Sequence, residues 1–376
     1  MLIYCKFLNR IRNATPTFLL CLSALILHAQ PASITLLFAG DIMGHEPQIK
    51  AAEIIPNEKY DYNPCFEFIA PIIKKADLAV ANLELTLPGK PPYTGYPTFK
   101  SPDTLATAIR NAGFDLLLTA NNHSNDAGLP GIINTLKTLE HNGFYYTGSF
   151  ANATEKSAYY PLIVYKNDFK LAFLNYTYST NGIPTKEPSI VNLIDTNSIQ
   201  QDLTAAKAMN PDFIIVVMHW GNEYQTTEHP AQRDLARKMS AWGADLIIGA
   251  HPHVVQPVKK ENDITWTAYS LGNFISNQRK PNTDGGIIIE VTLTKQHAQT
   301  QLTNIQYIPT WVWLQPRPDG KKHYRILPVS AFETPNPNLP QLSDTDRYAM
   351  KKHAESIRKL LRIPERRIPA SLIIPQ

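Results

Sequence analysis

Short apolar runs recur along this chain, each ending in side chains able to ligate a metal or hydrogen-bond, with amphipathic stretches between them. The runs are Ile34–Ala39, Leu78–Ala81, Phe114–Leu118, Phe213–Met218 and Leu246–Ile248. Unbroken apolar segments of this length predict strands buried on both faces. Between them, Phe66–Lys75, Asp103–Asn111, Gly131–His141, Ile199–Met209 and Arg233–Trp242 carry helical spacing, with Gly113, Gly143 and Gly243 as C-terminal stops. This is a βα alternation. Other segments predict antiparallel strands: Leu162–Tyr165 and Leu171–Tyr176 about a Lys166-Asn167-Asp168 turn, then Ile264–Leu271, Ile287–Leu293 and Leu302–Ile308. Beyond Trp313 a proline-rich connector leads to a predicted basic helix over Asp344–Leu361, with Ser343 as its N-cap and Asp346 in its first turn. Packing of that helix on the main domain is favoured over membrane contact. The two patterns together predict a mixed α/β fold in four layers, two facing sheets with helices outside.

In open α/β sheets, ligands bind beyond the carboxyl ends of the strands. Here the run ends set down Asp41 and His45, then Asn82 and Glu84, then Asn122, His123 and Asp126, then His219, and last His251 and His253. Five of the eleven histidines fall at these ends. The stretch Leu246–Gln256 is the most telling, because an apolar run breaks at Gly249 and delivers two imidazoles one residue apart, stiffened by Pro252. Alone, a His-x-His is more often two polar residues on a turn. As a set, carboxylates, neutral imidazoles and an amide oxygen are what one or two divalent transition ions (Mn, Fe or Zn) take as ligands, and a carboxylate such as Asp41 or Glu84 can bridge two of them. His123, beside the Asn122 amide and ahead of Asp126, then faces substrate as a proton donor or charge stabiliser, with Asp126 available to orient its ring.

The hydrophobic fraction of 43% against 18% charged allows a substantial core over this length. Residues 1–29 predict a secretory leader: Lys6, Arg10 and Arg12 precede an apolar stretch from Phe18 to Leu27, with cleavage near Ala29. An uncleaved membrane anchor is the alternative. The net charge is +4, and the three leader cations leave the remainder near +1, with no electrostatic footprint for nucleic acid. Cys5 and Cys21 belong to the leader, so Cys65 has no internal partner for a disulfide. The expectation is an exported protein, periplasmic or on the cell surface, held together by its core.

The blocks Gly40-Asp41-Ile42-Met43-Gly44-His45, Asn82-Leu83-Glu84, Asn121-Asn122-His123-Ser124-Asn125-Asp126, His219-Trp220-Gly221-Asn222-Glu223-Tyr224, Gly249-Ala250-His251-Pro252-His253 and Tyr269-Ser270-Leu271-Gly272-Asn273-Phe274 resemble, in this order, the CapA poly-γ-glutamate capsule synthesis family. That family is similar to calcineurin-like metallophosphoesterases, so the resemblance implies a metallophosphatase-like domain over residues 34–314, followed by an extension over residues 315–376. It implies metal ligation by Asp41, Asn122, His219, His251 and His253. Catalysis falls to His123. Two departures from the phosphoesterase pattern stand out: His45 lies four residues after Asp41 where Asp-x-His is usual, and Glu84 stands where Gly-Asp supplies a bridging aspartate. His45, Asn82 and Glu223 are therefore left between metal and substrate roles.

The loop Pro91–Pro102, with Tyr93, Tyr96, Phe99 and Lys100, is long enough to fold over the cleft and equally readable as a packed surface loop. The function the resemblance implies is metal-dependent, hydrolase-like processing of an anionic surface polymer, in synthesis, anchoring or trimming, alongside membrane-bound capsule machinery. An extracytoplasmic phosphomonoesterase or phosphodiesterase is the second reading. A polymer-binding or assembly subunit without catalysis is the third.

Overall fold

The leader expectation lies outside the residues described by the computed structural model, which are 31–374. Among them, in chain order, β1 (Ala32–Ile42), β2 (Leu78–Leu83), β3 (Leu116–Leu118) and β4 (Tyr145–Thr147) come first. Then follow β5 (Leu162–Lys166), β6 (Phe169–Thr177), β7 (Phe213–His219), β8 (Leu246–Ala250), β9 (Val258–Lys260) and β10 (Trp266–Ala268). The last strands are β11 (Asn273–Ile275), β12 (Gly285–Gln296), β13 (Gln299–Pro316) and β14 (Lys322–Pro328). One sheet has eight strands in the order β14-β13-β12-β1-β2-β3-β4, with β11 also paired to β1. The other has six, β9-β10-β8-β7-β6-β5. Both are mixed: β1 through β4 and β6 through β8 run parallel, while β12 to β14 and the β5–β6 hairpin run antiparallel.

The period of two along each strand builds the layers. Ile34, Leu36 and Phe38 of β1, Leu78 and Val80 of β2, and Leu116 and Leu118 of β3 meet Phe213, Ile215 and Val217 of β7 and Leu246 and Ile248 of β8 between the sheets. The alternate residues Leu37, Ala39, Ala79, Ala81 and Leu117 face outward into a second cluster with α1 (Thr104–Ala112) and its neighbours. On the far side, Ile214, Val216, Met218 and Ile247 pack on α2 (Thr196–Ala208) and α3 (Pro230–Trp242). Each central strand buries both faces, which is why its sequence is apolar without alternation. The result is the expected α/β/β/α order of layers.

Helix ends follow local chemistry. Asp195 accepts the N–H of Ser198 to open α2, and Gly113 and Gly243, at φ 108° and 100°, close α1 and α3 in the left-handed conformation. The single helix expected over Phe66–Lys75 is instead two one-turn helices, Asn63–Phe66 and Ala70–Ile73. Pro71 has no N–H to continue the first, and stands where a helix begins rather than where one runs on. Beyond Trp313, β13 continues to Pro316 and β14 adds an edge strand to the large sheet, in a stretch whose prolines disguised it. α4 (Asp344–Leu360) is capped by Ser343, whose Oγ accepts the Asp346 N–H, and packs on the domain through Met350, His353, Ala354 and Ile357. No helix among the described residues is long and apolar enough to cross a membrane.

Candidate metal centre

Because β1 and β2 run parallel in one sheet and β7 and β8 in the other, their carboxyl ends set Asp41, Glu84, His219, His251 and His253 around one point. All five are buried. Asp41 lies in register with Asn82, whose Nδ2 donates to Asp41 Oδ1 at 2.7 Å. His219 Nε2 stands 2.7 Å from Asn122 Oδ1 and 3.5 Å from Glu84 Oε1. His253 Nε2 is 3.8 Å from the same Glu84 oxygen. Its Nδ1 sits 3.1 Å from Asn273 Oδ1, an acceptor whose amide nitrogen is held by the Thr283 carbonyl at 2.8 Å. Asn273 therefore takes the Nδ1 proton, which leaves the Nε2 lone pair facing Glu84.

The turn carrying the last two histidines is strained. His251 and His253 have φ of 97° and 60°, a region that costs a non-glycine residue about 1 to 3 kcal/mol and clusters at functional sites. Gly249 lets the turn form against its neighbours: a Cβ there would lie 1.9 Å from the Tyr269 carbonyl oxygen. Any larger residue would push β8 away from the site.

Glu84 decides what this cluster suits. Both of its oxygens are buried without a hydrogen-bond partner. Burial pushes its carboxyl well above the ordinary range, and Asp41 beside it adds to the effect. Burial likewise pushes His219 and His251 well below the ordinary imidazole value, so both are neutral with a lone pair to offer. Buried carboxylates demand pairing or a metal, and an orphaned one among neutral imidazoles fits a divalent cation. Three groups of donor atoms, each within 4.8 Å of one another, can hold an ion: Glu84, His219 and His251; Asp41, Glu84 and His253; Glu223, His251 and His253. The first two share Glu84. His251 Nδ1 is a further buried atom without a partner.

Beside the cluster, His123 Nδ1 donates to Asp126 Oδ2 at 2.6 Å, and the same carboxylate oxygen accepts the Phe99 N–H at 2.5 Å. The Phe99 ring packs edge-on between His123 and His45, with centroid distances of 4.5 and 4.8 Å. His45 is turned to another task. It is the N-cap residue of the helix Glu46–Ala52, its backbone N–H donating to Gln48 Oε1 at 2.9 Å and its Nδ1 accepting the Asn277 N–H at 3.3 Å, and burial lowers its pKa to about 4. It joins none of the donor groups. The loop Pro91–Pro102 is pinned at its base by Thr94–Lys100 and Thr86–Phe99 backbone bonds, and Tyr93 packs on Tyr60. Pro91, Pro92 and Pro97 are exposed, and Tyr96 at the tip stands out furthest among its aromatic residues, 82% exposed.

Two residues beside the centre escaped the sequence reading. Tyr178 lies 4.5 Å from the His251 ring and stacks on His219 at 6.4 Å, and Asn181 accepts from Asn122 Nδ2 at 3.2 Å. Burial raises the Tyr178 phenol to about 12, so it stays protonated at neutral pH. Both follow β6, which pairs parallel to β7 and so ends at the same edge. Reading Leu171–Tyr176 only as half of a hairpin hid that end.

The family description "Bacterial capsule synthesis protein PGA_cap" matches residues 35–278, which contain every strand end of the centre. The chain belongs to this family. Two capsule synthesis proteins are similar over most of that span. The capsule biosynthesis protein CapA of Bacillus anthracis is 30% identical over 280 residues, 71% of this chain and 65% of that protein's length. The PGA biosynthesis protein CapA of Bacillus subtilis is 30% identical over 271 residues, 69% of this chain and 67% of that one. The match thus spans somewhat less than two thirds of the Bacillus anthracis protein. Among solved structures, the calcineurin-like phosphoesterase YfkN from Bacillus subtilis aligns at TM-score 0.46 and 13% identity, over 88% of this chain and 99% of that one. The NAD nucleotidase of Haemophilus influenzae aligns at 0.49 and 11%, over 92% and 59%. At these values the assignment rests on the family match alone.

Proposed function

We propose that this capsule synthesis protein is a metal-dependent hydrolase acting outside the cytoplasm on an anionic surface polymer of the poly-γ-glutamate kind. The observation that carries the proposal is Glu84, a buried carboxylate without a hydrogen-bond partner shared by two adjacent donor groups. Asp41, Glu84, His219, His251 and His253 would hold the ions, with the Asn122 amide oxygen beside them. Divalent cations bound there would activate water and polarise the scissile group. His123, doubly protonated with its Nδ1–H held by Asp126, would give its Nε2 proton to the leaving atom and regain one from the attacking water. Tyr178, protonated and 44% exposed, offers a hydroxyl at the mouth. The capsule names borne by the two relatives and the basic, then apolar, leader support the polymer and the export. A phosphoester is the second substrate class, favoured by the Asn122–His123 pair, which matches the phosphoesterase pattern.

The test measures bound metal and turnover on one preparation, for wild type, His253→Ala and Glu84→Gln, against γ-linked polyglutamate and a phosphoester panel. Wild type is expected to hold one or two Mn, Fe or Zn ions and to hydrolyse one of these classes, and both variants to lose metal and turnover together. Wild-type protein that retains no ion after loading with each metal and dialysis would overturn the proposal.

A further inference from the structure

A groove beside the metal centre is lined by cations from two elements. Arg279 and Lys280 of the loop before β12, with Lys352 and His353 of α4, line a cavity of about 260 Å³. Asn282 and His353 are shared with an adjoining cavity of about 310 Å³, which adds Lys359 and Ser356. Lys352 and Lys359 are seven residues apart, so they stand on one face of α4 and roughly 10 Å apart along it. Asp284 is the acidic residue of this lining, and its carboxylate is engaged, accepting from Trp311 Nε1 at 2.6 Å and facing His353 Nδ1 at 3.1 Å.

His353 lines both cavities and is 4% exposed; its Nδ1 faces the Asp284 carboxylate, while its Nε2 has no hydrogen-bond partner. Buried polar atoms are nearly always satisfied, so this Nε2 is the atom of the groove left to meet a ligand. Two side-chain contacts link the groove to the candidate metal centre. Lys280 Nζ sits 3.7 Å over the Tyr224 ring, and that ring is 6.0 Å from His253.

We propose that this groove is a second binding subsite, which grips the carboxylates of a polyanionic chain on one side of the bond held at the metal centre. It rests on the function proposed above. Single cations spaced along a helix face suit singly charged groups repeated along an extended chain, whereas a phosphate calls for donors converging on one point. Arg279, Lys280, Lys352 and Lys359 take successive carboxylates, and His353 donates to the one lying between the cavities. The groove selects polymer over short substrates, because a substrate occupying only the metal centre never reaches it.

The experiment is fluorescence-anisotropy binding of a labelled γ-linked glutamate decamer to metal-loaded full-length protein. Wild type is compared with Arg279→Ala/Lys352→Ala/Lys359→Ala and with Lys352→Glu/Lys359→Glu, and metal content and thermal midpoint are measured on the same samples. The triple variant is expected to bind about ten-fold more weakly, with a flatter salt dependence, and the charge reversal to abolish binding. Metal content and midpoint should hold. Unchanged affinity in both variants, or a wild type that holds metal and fails to bind the decamer, would overturn the groove and leave the metal centre standing. A protein that binds the decamer through these cations while holding no metal would uphold the groove and overturn the hydrolase. Inorganic polyphosphate binding more tightly than the decamer at equal charge would overturn the assignment to carboxylates.

Discussion

His123 separates the two things a polar residue can do beside a metal. Its Nδ1 is committed to Asp126, and Asp126 in turn holds the Phe99 N–H, so the ring is clamped between a carboxylate and an aromatic edge. That arrangement orients Nε2 without giving the ring to an ion. His123→Ala is therefore expected to keep its metal and to lose about 10²- to 10⁴-fold in turnover, the usual worth of a positioned acid. Metal analysis beside steady-state kinetics checks it, and loss of metal in the variant would make His123 a ligand instead. The convergence of Asp41, Glu84, His219, His251 and His253 was readable in the sequence because each follows an apolar run, and the parallel strands gather those ends. His45 stands three residues past β1, at the N-cap of the next helix, where its N–H is taken by Gln48 Oε1 and its Nδ1 accepts the Asn277 N–H. Glu84 went the other way. Its extra methylene lets it sit in two donor groups from a position where the shorter aspartate is usual.

The parallel pairing of β6 through β8 fixes which strand ends meet, and Asp245 sits at its opposite end. Its Oδ2 accepts the Ile214 N–H at 2.8 Å, tying the start of β8 to β7. Burial raises this carboxyl from its ordinary 3.8 to about 6, with the Ile214 bond and Lys207 opposing. A carboxyl whose folded pKa exceeds its unfolded value favours folding while protonated. Its contribution is thus present below the unfolded pKa and lost as pH rises through 6. Asp245→Asn keeps an oxygen for Ile214 and never ionises, so urea midpoints should move in its favour relative to wild type between about pH 4 and about pH 7. A gap that stays constant over that range would show that Asp245 does not titrate with folding. At this scale the buried strands were easy to read, whereas among the edge strands β5 was legible through its turn and β14 was not. Two-sided burial writes an unbroken apolar run, whereas β14, at the edge of its sheet, tolerates Lys322, His323 and Arg325 in its seven residues.

The C-terminal segment belongs to the molecule's central layer as well as to its surface. Ile357, Leu361 and Ile363 join the cluster between the two sheets, together with Val255 and Leu271. Past α4 the chain follows β13, with Tyr307 donating to Pro364 at 3.0 Å and accepting from Arg366 at 2.8 Å. The candidate metal centre draws its donor side chains from both sheets, so the packing between them sets where Asp41 and Glu84 stand relative to the histidines. Helical spacing made α4 readable, but its partner was not, because an amphipathic face does not say which apolar surface it covers. Ile357→Ala removes most of a buried side chain from that layer and is expected to cost about 2 to 5 kcal/mol. Lys351→Ala, on the exposed face of the same helix, should stay within about 0.5 kcal/mol of wild type. Chemical denaturation with metal analysis tests the pair. If the tail serves the intersheet core, Ile357→Ala lowers stability while the folded fraction keeps its full metal complement. An unchanged midpoint would make α4 a surface appendage, and loss of metal from protein that is still folded would tie the tail to the site itself.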